Sequence, residues 1–351
     1  MERWEAYATP TVISVSDTGF KKSDSLNGFD MSEKKIPEYR APLLFRQGHL
    51  STLVHHFFRP SAFQYHRSER IITADSDFFL VDRFDSGSSA ITVILHGLEG
   101  HSGRPYVRNM AAVAAATGTD VAALNFRSCK GGMNEQARFY HSGETGDLAC
   151  FIEKIKVEGK YQSVFLTGFS LGGNVLLKYL GEKGSGLPEI VKAALAVSAP
   201  VDLASSAQKI EHYSNRLYLN RFLKSLKQKV RQKMEKFPDA VDWERGLKAT
   251  TFFEFDDAVT APLHGFNGAA DYYANCSSLR FLPDIEVPAL LLNAKDDPFL
   301  SDQCYPDLGN HPRFRGHYPM AGGHVAFSNW PLRRASFSEL LLEWMIQTYR
   351  V

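Results

Sequence analysis

No stretch of this chain approaches the roughly 20 apolar residues that a membrane-spanning helix requires, because Gly, Asn or a charge interrupts every run. The opening MERWEAYATPTVISVSDTGF lacks the sustained apolar core of a secretory leader. Cysteine is scarce. Cys129, Cys150, Cys276 and Cys304 form no Cys-x-x-Cys pair and no zinc-finger spacing, which argues against a disulfide scaffold and fits a reduced compartment. An excess of one charge is also missing. Lys and Arg number 40 against 39 Asp and Glu, a net +1, so nothing electrostatic recommends a nucleic-acid partner. No internal repeat or low-complexity block is present. The expectation left standing is a soluble cytoplasmic protein, 351 residues long and 44% apolar, with enough chain to bury a core unaided.

Residues 1–35 are polar, with SVSD, KKSDS and SEKK clusters, and read as a tail or an arm on the body. From about residue 68 short apolar strands alternate with helical stretches. RIITA and FFLVDRF read as an antiparallel pair turning between Ala74 and Asp77. ITVILHG at 91–97 is a β-branched run ending in Gly, as a strand buried on both faces does. VAALNFR (121–127), VFLTGFS (164–170), ALAVSAP (194–200) and ALLLNAKDD (289–297) repeat the theme. Helical patterns occupy 105–117, 144–158, 171–182 and 332–349. That order predicts an α/β fold, a mostly parallel central sheet flanked by helices on both faces.

Residues 202–265 break the rhythm, being too long for a crossover helix. Leu219, Phe222, Leu226, Val230 and Met234 recur at helical spacing, so this segment is expected as a helical cap inserted into a single domain spanning 36–351. Positions 216–236 hold eight basic residues and one acid, Glu235. A cap over an acyl pocket with solvated charges is one reading. Peripheral contact with an anionic membrane is the other, and the cap is the preferred one.

The strongest local signal is Gly168-Phe169-Ser170-Leu171-Gly172-Gly173, set between the strand VFLTG and the helical NVLLKYL. A serine on so sharp a strand-to-helix turn crowds its neighbours, hence the glycines, and its oxygen stands at the positive end of a helix. A serine needs a base. His324, in MAGGHV after RGHYPM and before the last helix, occupies the loop where such a base belongs. The orienting acid should end a late strand. Asp296 and Asp297 compete there, and Asp297, followed by Pro-Phe-Leu, is the preferred one. The oxyanion hole needs two backbone donors, expected from Leu171 and from Leu98 in the loop HGLEG. His96 reads as support for that loop. Arg127 reads as a brace or a substrate contact, Cys129 as unactivated, and Phe255-Asp256-Asp257 with Thr260 as structural.

From about residue 40 onward the chain resembles the YheT-like branch of the α/β-hydrolases. The blocks that carry the resemblance are GHLSTL (48–53), HGLEGHSGRPYVRNM (96–110), NFRSCKGGMN (125–134), YHSGETGDL (140–148), GFSLGGNVLLKYLGE (168–182), FDDAVTAPLHGF (255–266), DYYANCSS (271–278), AKDDPFL (294–300) and GGHVAF (322–327), in that order. The resemblance implies an α/β-hydrolase fold, carboxylesterase or lipase chemistry and Ser170, Asp297 and His324 as the charge-relay set. Two segments depart from the pattern, Lys130-Gly131-Gly132-Met133 and Asp75-Ser76-Asp77. They bear on substrate contacts rather than on the triad.

The expected reaction is serine ester hydrolysis of a small or medium acyl ester or lipid, needing no metal or organic cofactor. Tyr218, Phe222, Phe237 and Trp243 of the cap favour an acyl chain. A thioesterase or acyltransferase would use the same residues. A non-catalytic binding protein of the same fold is the rival of another class.

Overall fold

The computed structural model describes Met31, residues 35–330 and residues 335–350. Apart from Met31 and Lys35, the expected tail lies outside the described residues, as do residues 331–334 at the start of the expected last helix. Met31 is buried, and its N–H donates to the Pro312 carbonyl at 2.9 Å.

Strands form where apolar residues run unbroken. They are β1 (Arg67–Ile72), β2 (Phe78–Phe84), β3 (Ala90–Leu95), β4 (Asp120–Asn125), β5 (Ser163–Phe169), β6 (Val191–Val197), β7 (Ala289–Leu292) and β8 (Phe314–His317). They make one sheet in the order β1-β2-β4-β3-β5-β6-β7-β8. β2 pairs antiparallel with β1 and β4, and every other pairing is parallel. Every residue of β3, β4 and β5 is buried, because helices cover both faces of the sheet.

The helices are α1 (Gly48–Phe58), α2 (Pro105–Ala116), α3 (Gly146–Glu158), α4 (Leu171–Lys183), α5 (Leu203–Glu211), α6 (Arg216–Lys236), α7 (Trp243–Lys248), α8 (Phe252–Phe255), α9 (Ala261–Leu263), α10 (Ala269–Cys276) and α11 (Phe337–Tyr349). Val107 and Met110 of α2 join Leu341 and Met345 of α11 over Ile94, Phe165 and Leu195. On the opposite face, Phe151 and Ile155 of α3 and Leu176 and Leu180 of α4 pack on Val93 and Leu166. α11 starts on a capping box between Ser336 and Glu339, and Glu339 also holds Arg59 in a buried ion pair at 2.8 Å.

Register sets the functional edge. Leu95 lies opposite Gly168, Phe169 opposite Val197, and Val197 opposite Leu292. The carboxyl ends of β3, β5, β6 and β7 are therefore level, and the residues just beyond them share one rim, where ligands bind in sheets of this kind.

Helices α5 to α10 lie between β6 and β7, running from Leu203 to Cys276. The inner stripe of α6 is Leu219, Leu223, Leu226 and Val230, packed with Trp243, Phe255 and Val259. Not all of its charges are solvated. Lys229 and Lys233 are buried, their stems lying along the stripe while their ammonium groups reach polar atoms of the body. Lys229 Nζ lies 2.5 Å from Glu99 Oε1, and Lys233 Nζ donates to the carbonyls of Asn134, at 2.9 Å, and Gln136.

Candidate active site

Ser170 sits between β5 and α4 with φ +52° and ψ −121°, a conformation that costs a non-glycine residue energy and is held by its surroundings. Its N–H donates to Val197 O at 2.8 Å. The flanking glycines answer to backbone crowding. A Cβ on Gly168 would lie 2.3 Å from Gly172 O, and one on Gly172 would lie 2.5 Å from His96 O. The turn that presents the serine admits no side chain two residues before or after it.

His324 lies in the loop before α11. Its Nδ1 is 2.8 Å from Asp297 Oδ2 and 3.1 Å from Oδ1. The Asp297 side chain is fully buried, and Oδ1 also accepts the Phe299 N–H at 2.9 Å. A carboxylate only accepts, so the ring proton sits on Nδ1 and the Nε2 lone pair is free. The neighbouring Asp296 does something else. Its Oδ1 accepts the Gly322 and Gly323 N–H groups at 2.8 and 2.9 Å, which fixes the backbone of the histidine loop. Two further groups hold that loop: Thr52 Oγ1 of α1 accepts the His324 N–H, and Ser198 Oγ accepts the Val325 N–H, both at 2.9 Å.

Beyond β3, three amides of the loop are already used. Gly97 N–H donates to Tyr106 Oη at 3.0 Å, Glu99 N–H to Tyr140 Oη at 2.8 Å and Gly100 N–H to Gly97 O at 2.9 Å. The Leu98 N–H has no acceptor among the described residues. Leu171 is the first residue of α4, where no preceding turn supplies an acceptor. His96 holds the loop in shape. Its Nε2 accepts the Phe126 N–H at 3.1 Å, so Nδ1 carries the proton and donates to Gly97 O at 2.7 Å. Burial lowers its pKa to about 3, so it stays neutral.

Two cavities meet at Ser170 and His324, with Leu98, Phe222 and Phe299 lining both. One, of about 130 Å³, lies beneath the cap, and the other, of about 200 Å³, passes Arg104, Tyr218 and Arg221. Phe237 and Trp243, expected over the acyl pocket, line neither. Trp243 is buried in the cap's own core, and its Nε1 donates to Phe237 O at 2.8 Å. Arg127 is a brace. Buried, it bonds Asp147 at 2.7 Å, Asp75 at 2.6 Å and Asp77 at 3.2 Å. The departing segment Asp75-Ser76-Asp77 thus anchors Arg127 and lines neither cavity. Burial pushes the Cys129 thiol up to about 11, which leaves it unreactive.

His141, Glu144 and His264 are the one set of potential metal ligands brought together among the described residues. They are poorly disposed to bind one. Arg138 Nη1 holds Glu144 at 3.0 Å, and His141 Nδ1 accepts the Gly143 N–H at 3.1 Å, which leaves the proton on Nε2.

Comparison with known proteins places the chain in a family. The model of the alpha/beta hydrolase fold matches residues 93–329. YheT of Escherichia coli (strain K12), named as a candidate esterase, is 33% identical over 308 residues, 86% of this chain and 89% of that protein. The chain is an α/β-hydrolase of the YheT-like branch. The mouse phospholipase ABHD3 is 28% identical to this YheT-like hydrolase over 296 residues, 80% of the chain and 71% of that protein. The solved esterase PF2001 of Pyrococcus furiosus shares the fold, with TM-score 0.55 and 17% identity, covering 83% and 93% of the two chains. By family the protein is a hydrolase of the carboxylesterase and lipase type. No helix among the described residues is long and apolar enough to cross a membrane.

Several residues of this YheT-like hydrolase escape sequence reasoning. Glu99 ties the cap to the loop that holds Leu98, bonding Ser225 and Lys229 of α6 together with Tyr140. Gly48 and Thr52 press α1 against the acid and histidine loops, and a Cβ on Gly48 would lie 1.9 Å from Asp296 O. The GHLSTL block was visible in the sequence, but nothing in its spacing names a partner some 270 residues away.

Proposed function

We propose that this protein hydrolyses carboxylic esters of small or medium acyl chains, or of lipids, through Ser170, His324 and Asp297 and an acyl-enzyme. The observation that carries this reading is His324 Nδ1 at 2.8 Å from buried Asp297 in the same cavity as Ser170 on its strained turn. His324 Nε2 takes the Ser170 proton as Oγ attacks the ester carbonyl. The Leu98 and Leu171 amides receive the oxyanion. Asp297 holds the ring in its tautomer and stabilises the imidazolium. His324 then protonates the leaving alcohol and activates the water that frees the acid. None of these steps calls on a metal or cofactor. A thiol or alcohol acceptor in place of water would make the same groups a thioesterase or acyltransferase. The four unpaired cysteines support a cytoplasmic setting.

Peripheral membrane contact is a second proposal. It is supported by the outer face of α6, where Arg221, Lys224 and Arg231 are exposed and Leu217 is 85% exposed.

The decisive experiment is hydrolysis of p-nitrophenyl esters of increasing chain length by wild type and Ser170→Ala, with fluorophosphonate labelling. Activity and labelling lost in the variant are the expected result. A wild type inert to every ester and to the probe would return the protein to the class of non-catalytic binders.

A further inference from the structure

The cavity beneath the cap is walled mainly by hydrocarbon, with Leu203, Ile210, Phe252 and Phe255 among its lining residues. A plain acyl chain would need nothing else. Yet the cap side of the same cavity also presents Asp256, Thr260 and Tyr273. Asp256 opens a π-helical turn, Asp256–Thr260, between α8 and α9. Such turns cost hydrogen-bond quality and concentrate at functional positions.

The carboxyl of Asp256 has two donors. Thr260 Oγ1 donates to Oδ1 at 2.6 Å, and Tyr273 Oη donates to Oδ2 at 2.7 Å. A carboxylate offers about four acceptor positions, so two remain for something else. No cation pairs with Asp256 among the described residues, and the charge felt from nearby is that of Glu211, which is negative. Burial raises its pKa to about 6, so it is mostly ionised at neutral pH. A half-buried carboxylate with spare acceptor capacity, no counter-charge and a largely apolar cavity in front of it is costly as structure. It is well placed as a receptor for a donor.

We propose that Asp256 is a specificity-determining acceptor, and that the acyl arm of the ester lies in this cavity and carries a hydroxyl group that donates to it. The preferred substrate is then a hydroxylated acyl ester rather than a plain aliphatic one. A hydroxyl suits this wall better than an ammonium, because the apolar residues around Asp256 would strip a cation of its water. The inference deepens the ester-hydrolase reading and rests on it.

The test uses matched p-nitrophenyl esters of one chain length, plain or hydroxylated at successive carbons, with an ω-amino ester and the acetate. The quantity read is the ratio of kcat/KM for hydroxylated over plain ester within one preparation, so any loss of folded protein cancels. In wild type one hydroxyl position should be preferred at least about tenfold. Asp256→Leu should erase or invert that preference. Tyr273→Phe, which removes one bond holding the carboxyl, should reduce it by less and serves if the leucine variant does not fold. No preferred position, or a preference that survives Asp256→Leu, overturns the inference while acetate turnover leaves the esterase reading intact. A preference for the amino ester overturns the hydroxyl assignment. Inertness toward every ester, acetate included, overturns both.

Discussion

The sheet rim and the cap are held by different physics. At the rim, short-range backbone demands dominate: a serine at φ +52° between glycines that admit no side chain, and a histidine loop pinned at successive amides by Asp296, Thr52 and Ser198. The cap packs through its own apolar cluster and meets the body through polar contacts distant in sequence, such as Lys229 on Glu99, Lys233 on the carbonyls of Asn134 and Gln136, and Asn215 on Pro298 O at 2.7 Å. The rim is pre-organised by construction. The cap's position depends on a few buried charges that must stay paired.

The largest effect should separate two adjacent aspartates within the rim. Asp297→Asn places an amide where Nδ1 needs an acceptor and favours the wrong ring tautomer, so kcat should fall about 10⁴-fold with little change in Tm. Asp296→Asn keeps a carbonyl oxygen for the Gly322 and Gly323 amides, so kcat should fall by less than about tenfold. Equal losses in the two variants, measured by steady-state kinetics and thermal melting, would remove the distinction drawn between them.

The next effect lies where the regions join. Lys229→Met leaves Glu99 buried without its cation. Breaking a buried pair from one side costs about 3–5 kcal/mol. Denaturant midpoints should fall accordingly, and kcat/KM should fall as well, because Glu99 adjoins the Leu98 amide. The double variant Glu99→Gln with Lys229→Met should recover part of the stability. No recovery would mean that Lys229 acts through packing alone.

Legibility follows the same division. β3, β5 and β7 stand out in the sequence because strands buried on both faces are continuously apolar. Ser170 stands out because its turn forces glycines at fixed offsets, and Asp297 and His324 follow from strand ends. Partners brought in by chain distant in sequence leave no such trace. Thr52 looks like any helical threonine. Lys229 and Lys233 look like solvated charges on a basic helix. Asp256 was in plain view, but a π-turn has no periodicity to betray it, and only the cavity shows what the carboxyl faces.

Acid should weaken both regions through histidines that burial keeps neutral. His96 at the rim and His141 beside the cap both have pKa values lowered to about 3, against 6.5 as the ordinary value. Below pH 6.5 the unfolded chain binds protons that the folded chain refuses, so stability is lost progressively from pH 6.5 down towards 3. At pH 5 the cost is about 2 kcal/mol per histidine. Asp256 works the other way. Raised to about 6, it binds a proton in the fold between pH 6 and 3.8 that the unfolded chain does not, and offsets part of one histidine. Chemical denaturation at pH 7 and pH 5 should show a net loss. His96→Gln should flatten that slope, and an unchanged slope would mean that His96 titrates normally in the fold.

The smallest effect concerns the outer face of the cap. If α6 meets anionic lipid, only its outward cations contribute, each worth about 1 kcal/mol near the surface and screened within about 10 Å at 0.1 M salt. Lys224→Glu with Arg231→Glu should therefore lower binding to phosphatidylserine vesicles at low salt by at least tenfold, and wild-type binding should fade as salt rises. Lys233 points the other way, into the carbonyls of Asn134 and Gln136. Lys233→Met should therefore cost stability without changing vesicle affinity. Wild type that ignores anionic vesicles at low salt would reduce α6 to a cap alone, its outer charges solvated and its inner two serving the joint with the body.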